Sequence, residues 1–172
     1  PMVLMGWASC SHSGTGHPAL PDPRAVDKSV PEYKNPFHPS TYAHFVARKD
    51  YRKTYDVYKD DTLLNRQPKK SRKIFVCLDE QRGQYLVDGL VAMDFPLSSG
   101  VKAYPTKTGD YAVISKKEDH TSNLYGKMYD AEGKCINYNA ESTDPIPEGG
   151  RFDGSPMPYW QRLTNAGLGL HV

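Results

Sequence analysis

From Ile74 onward the chain is written in short apolar runs separated by turn-forming pairs, and this spacing constrains its fold more than any other feature. Ile74-Phe75-Val76-Cys77-Leu78 is rich in β-branched and aromatic residues, the mark of a buried strand. Gln84 to Val87 and Leu90 to Phe95 then flank Asp88-Gly89. An Asp-Gly pair between two apolar runs predicts a two-residue hairpin, because a type I′ turn needs positive φ at both central positions. Tyr111-Ala112-Val113-Ile114 reads as a strand opened by Gly109, and Tyr125 to Tyr129 and Cys135 to Tyr138 form a second hairpin around Glu132-Gly133. Residues 144–150 read as a loop, Pro158 to Leu163 as a short helix with Pro in its first turn, and Leu168 to Val172 as a last strand. Hairpins at this density predict a mainly β domain, a sandwich or a curled sheet.

The sequence before Ile74 has a different texture. Residues 1–10 are an apolar run ending in small residues before Cys10, without the basic opening of a whole signal peptide. They are similar to the end of a lipoprotein signal, which makes Cys10 a lipidation candidate and implies a lipid anchor. Trp7 departs from that pattern, which has Leu three residues before the cysteine. Residues 11–40 carry repeated Pro, Ser and Gly and read as a linker. His12, His17 and His38 are too scattered there for a metal tract, and no metal or cofactor is expected. Residues 41–71 carry Tyr42, Phe45, Tyr51, Tyr55 and Tyr58 among mixed charges, and read as a partly helical lead-in that docks aromatic rings onto the domain.

Composition excludes two classes of function. Lys+Arg total 22 against Asp+Glu 20, so the clustered basic excess of a nucleic-acid binder is missing and no nucleic-acid partner is expected. No run approaches the roughly 18 apolar residues of a membrane span. The chain has three cysteines, Cys10, Cys77 and Cys135, with no C-x-x-C pair. Cys77 reads as a small core residue inside a strand, and Cys135 as a lone thiol in a hairpin.

The order and spacing of several segments resemble the catalytic domain of L,D-transpeptidases, the YkuD or ErfK/YbiS/YcfS/YnhG family. Ile74 to Gln81 is similar to its opening strand and the Gln that follows. Phe95-Pro96-Leu97-Ser98-Ser99-Gly100 resembles its strand ending in a Ser-Thr-Gly turn. Tyr104 to Tyr111 resembles its Thr-Pro turn, with Lys107 where Pro is usual. Ser122 to Tyr129 is similar to a segment of one branch, and Met157-Pro158-Tyr159-Trp160 with Gly167 to His171 resembles the approach to the active site. The likeness covers residues 72–172 and implies a YkuD-like curled β-sandwich with short helices, incomplete at its C-terminal end.

The resemblance also implies a chemistry. In the family a cysteine thiolate attacks the carbonyl of the diamino acid in a peptidoglycan tetrapeptide stem and expels the terminal D-Ala. An amine then takes the acyl group from the thioester, either to cross-link two stems or to anchor a protein. The thiolate forms readily beside a His. His171 matches the first His of the family's motif. The Ser/Thr-His-Gly-Cys that follows it is expected beyond Val172, so the nucleophile is assigned to no residue here and these 172 residues are expected to be inert. Tyr104, Tyr125, Met157, Tyr159 and Trp160 are candidates for shaping the substrate cleft, while His120 reads as a surface or structural residue. The expected setting is the periplasm or cell envelope, with peptidoglycan stem peptides as partners. The alternative is a non-catalytic peptidoglycan-binding lipoprotein module.

Overall fold

Asp88 and Gly89 have φ of 52° and 86°, the two positive values the hairpin turn demands. They join β4 (Arg82–Val87) to β5 (Leu90–Pro96), with Val87 paired to Leu90 across the turn. The Asp88 carboxylate also accepts hydrogen bonds from the backbone N–H groups of Lys69 and Ser71, at 2.9 and 3.1 Å, tying the incoming chain to the same turn. The structure is a computed structural model that describes residues 3–6, 22–23, 25–32, 34–69 and 71–172.

The chain divides into two compact units, Pro1–Ala112 and Val113–Val172. In the first, a six-stranded sheet has the order β2-β5-β4-β3-β1-β6. Its further strands are β1 (Val3–Gly6), β2 (Tyr58–Lys59), β3 (Arg72–Cys77) and β6 (Tyr111–Ala112). β1, from the apolar run at the start of the chain, lies between β3, parallel to it, and β6, antiparallel. The lead-in forms two short helices, α1 (Tyr42–Val46) and α2 (Asp61–Leu64). Thr41 and Asp60 cap them, accepting from the N–H groups of His44 and Leu63.

Of the rings expected to dock, Tyr55 does not, being 88% exposed. Phe45, Val46 and Tyr51 are buried together, with Tyr42 and Tyr58 packed against them. Beneath them lies a buried ion pair. Arg82 Nε donates to Asp94 Oδ1 at 2.6 Å, and the two side chains are 2% and 0% exposed. The tyrosine hydroxyls of residues 42 and 51 donate to Asp94 Oδ2 at 2.7 and 2.9 Å. The Arg82 guanidinium donates further to the carbonyls of Thr54 and Asp56, at 2.9 and 3.0 Å. It also lies 5.3 and 4.9 Å from the Phe45 and Tyr51 ring centroids. This network binds the lead-in to the sheet.

The second unit holds two three-stranded sheets, β10-β8-β9 and β12-β11-β7. The first comprises β8 (Thr121–Tyr129), β9 (Cys135–Glu141) and β10 (Arg151–Pro156); the second β7 (Ser115–Lys117), β11 (Trp160–Arg162) and β12 (Gly169–Leu170). The second hairpin turns at Gly133, φ 81°. Both units are mainly β, as the hairpin density predicts.

Two expectations are corrected. The strand expected over residues 111–114 breaks after Ala112, and pairing resumes at Ser115 in the other unit. The helix expected from Pro158 is instead the strand β11. Tyr159 adopts φ 55°, which ends any helical run, and the backbone pairs across to β7 and β12. Cys77 is buried as expected but is also disulfide-bonded, whereas Cys135 is free.

Candidate functional site

Strand order brings two histidines to one tryptophan. β11 is the middle strand of its sheet, and both neighbours run antiparallel to it. Trp160 pairs with Lys117 of β7, and Gln161 with Leu170 of β12. Both neighbours therefore leave the sheet at the Trp160 end, one toward His120 and the other toward His171. The intervening backbone is clamped from both sides. Tyr159 and Met157 donate their N–H groups to the carbonyls of Glu118 and His120, at 2.8 and 2.7 Å, and Val172 donates to the carbonyl of Pro158 at 3.1 Å.

The rings follow the strands. Trp160 is 6% exposed. Its ring centroid lies 5.1 Å from that of His120, at 31° between planes, and 6.2 Å from that of His171, at 35°. A Cβ at Gly169 would stand 2.5 Å from the Trp160 ring, so a residue without a side chain is required for the indole to lie where it does. The buried Trp160 Nε1 has no hydrogen-bond partner among the described residues, a state that costs roughly 1–3 kcal/mol. Tyr159, a non-glycine residue with positive φ, turns an exposed ring outward, a conformation that concentrates at binding sites. His171 is exposed, and its Nδ1 donates to the Val172 oxygen at 3.1 Å.

Of the residues anticipated for the site, Trp160 and His171 have neighbouring rings, and Met157 and Tyr159 lie beside them through backbone hydrogen bonds. His120 joins them, a contact invisible in the sequence because 40 positions separate it from Trp160 and only strand pairing joins them. Tyr125 lies elsewhere in the same unit, in a small cleft on β8 and β9. Tyr104 belongs to the first unit, exposed in a turn whose N–H donates to the carbonyl of Val101. In that unit Gln81, with φ 51°, reaches the Ser98-Ser99-Gly100 turn. Its Nε2 donates to Ser99 Oγ at 2.8 Å, and its Oε1 accepts from Ser99 N at 3.0 Å. Cys10, the lipidation candidate, lies outside the described residues. Among the described residues no three His, Cys, Asp or Glu side chains gather to hold a metal.

The model of the L,D-transpeptidase catalytic domain, YkuD, matches residues 71–172. The chain belongs to this family. The matched stretch opens just before β3 and takes in the whole Trp160 cluster, so the residues that carry the resemblance and those that converge in space are parts of one L,D-transpeptidase domain. No curated protein and no solved structure matches the chain.

Proposed function

We propose that this L,D-transpeptidase domain acts on peptidoglycan stem peptides in the cell envelope, as part of a protein that transfers an acyl group from a tetrapeptide stem to an amine. The observation that carries the reading is the Trp160 cluster, in which His171, read as the family's first motif His, lies beside a buried indole. In this reading Met157 and Tyr159 line the approach for the stem. His171 presents Nε2 to polar groups of the substrate near the reacting carbonyl. The nucleophile is the thiolate of the family's Ser/Thr-His-Gly-Cys, a motif that does not occur in these 172 residues. Neither Cys77, held in a disulfide, nor Cys135 is given that role.

A second reading is a module that binds stems without turning them over. Titrating the isotope-labelled chain with a soluble tetrapeptide stem tests what both readings share. Saturable shifts are expected at the Trp160 indole, His120 and His171, and their absence there would count against stem recognition. The coding sequence after codon 172 separates the two readings, since acyl transfer requires Ser/Thr-His-Gly-Cys downstream.

A further inference from the structure

The second unit carries another built feature, where β8, β9 and β10 lie side by side. Strands β8 and β9 fall out of register between Gly126 and Met128, which pair with Ala140 and Asn137. Lys127 alone therefore faces two residues, Tyr138 and Asn139. Such a bulge re-aims side chains, and here both residues are exposed, while Ala140 next to them is buried. Tyr138 is 69% exposed, and the Lys127 ammonium lies 5.7 Å from its ring centroid, bracing it.

The bulge opens a cleft of about 150 Å³ lined by Tyr125, Tyr138, Asn139, Glu141 and Ser155. That is below the roughly 300–1,000 Å³ of pockets for drug-sized ligands and leaves space for about one ring. Its chemistry is specific. Two tyrosine rings offer apolar faces with polar tips. The Asn139 amide, the Ser155 hydroxyl and the Glu141 carboxylate offer donors and acceptors at close quarters. The Glu141 carboxylate and the Lys127 ammonium at Tyr138 supply one charge of each sign, which favours neither an anion nor a cation. A neutral ring with an apolar C–H face and hydroxyls around its rim satisfies all of these, which describes a pyranose.

We propose that this cleft binds one sugar ring of a glycan strand, at a subsite separate from the stem-peptide site. The assignment of the strand to peptidoglycan rests on the function proposed above. Tyr138 stacks on the sugar face, and Glu141 accepts from its hydroxyls.

The test is a titration of the labelled 172-residue chain with chitotetraose, a neutral β-linked N-acetylglucosamine tetramer, and in parallel with cellotetraose, which lacks the acetamido groups. Saturable shifts are expected at Tyr138, Asn139 and Glu141 with chitotetraose. Tyr138→Ala should weaken binding at least tenfold and Tyr138→Phe less than twofold, because the ring carries the stacking; both substitutions fall on an exposed side chain. Glu141→Gln should weaken binding severalfold. No saturable shift, shifts confined to other residues, unchanged binding by Tyr138→Ala, or binding of cellotetraose alone would each overturn the proposal. A stem tetrapeptide that binds at Trp160 while chitotetraose fails would overturn this inference and leave the proposed function standing.

Discussion

Asp94 is fully buried, and its charge is tolerable because every direction around it is answered. Arg82 pairs with one oxygen, and the hydroxyls of Tyr42 and Tyr51 donate to the other. Removing one partner of such a pair strands the other, at a cost of about 3–5 kcal/mol, whereas replacing both by apolar residues is often neutral. Arg82→Met is therefore expected to destabilise the first unit by that amount in urea denaturation, and Arg82→Met with Asp94→Leu to recover only part of the loss, because the hydroxyls of Tyr42 and Tyr51 then lose their acceptor. The same site sets an alkaline limit. Burial first, then the neighbouring Asp94 charge, pushes the Tyr51 phenol up to about 12 from an ordinary 10.0, and Tyr42 is raised by the same causes. A raised phenol keeps its proton in the folded state while the unfolded chain loses it. The stabilisation is complete below about pH 10 and is lost as pH climbs toward 12. Stability measured from pH 8 to 12 should fall across that window. Tyr51→Phe should flatten the fall, at a cost near neutrality of roughly 1.5–3 kcal/mol for a lost bond to a charged group.

Among the elements, the hairpin turn and the middle strand of the small sheet make contrasting demands on glycine. Gly89 is needed for its dihedral, since φ is 86° and no atom stands where its Cβ would go. Gly89→Ala should cost about 1–2 kcal/mol of left-handed strain without disturbing any neighbour, so its shift changes should stay within the turn. Gly169 is needed for space. Gly169→Ala should push the Trp160 ring aside, at about 1–3 kcal/mol of overpacking, and weaken the cross-peaks that link the indole to His120 and His171. If those cross-peaks persist unchanged, Gly169 does not set the position of the indole. Both glycines were visible in the sequence. The hairpin signal made the role of Gly89 readable, because turn chemistry is local. The role of Gly169 was not readable, because it depends on which ring lies across the sheet.

For the molecule as a whole, the thiols report whether the chain has reached this fold. Alkylation of the folded chain before reduction, followed by mass mapping, should label Cys135 and spare Cys77. Label on Cys77 would refute the disulfide. The thiol pattern also marks where sequence reading stopped. An apolar run around Cys77 identified a buried strand, but burial and bonding are separate properties, and only coordinates distinguish a small core thiol from a bridged one. The misread helix at Pro158 has a similar origin. Its residues are compatible with a helical turn, and pairing with β7 and β12 overrode that local preference.

By itself the sequence determined the mainly β class, the Asp88-Gly89 hairpin, and the family through the spacing of its segments. All of these rest on periodicity, turn chemistry and order along the chain, which a linear text preserves. The tertiary structure alone decided that Arg82 meets Asp94, that Gln81 clamps the Ser99 turn, that a bulge opens the Tyr138 cleft, and that His120 and His171 converge on Trp160. Those are contacts between distant positions. They are fixed by strand register and strand order, where a shift of one residue would turn each side chain to the opposite face.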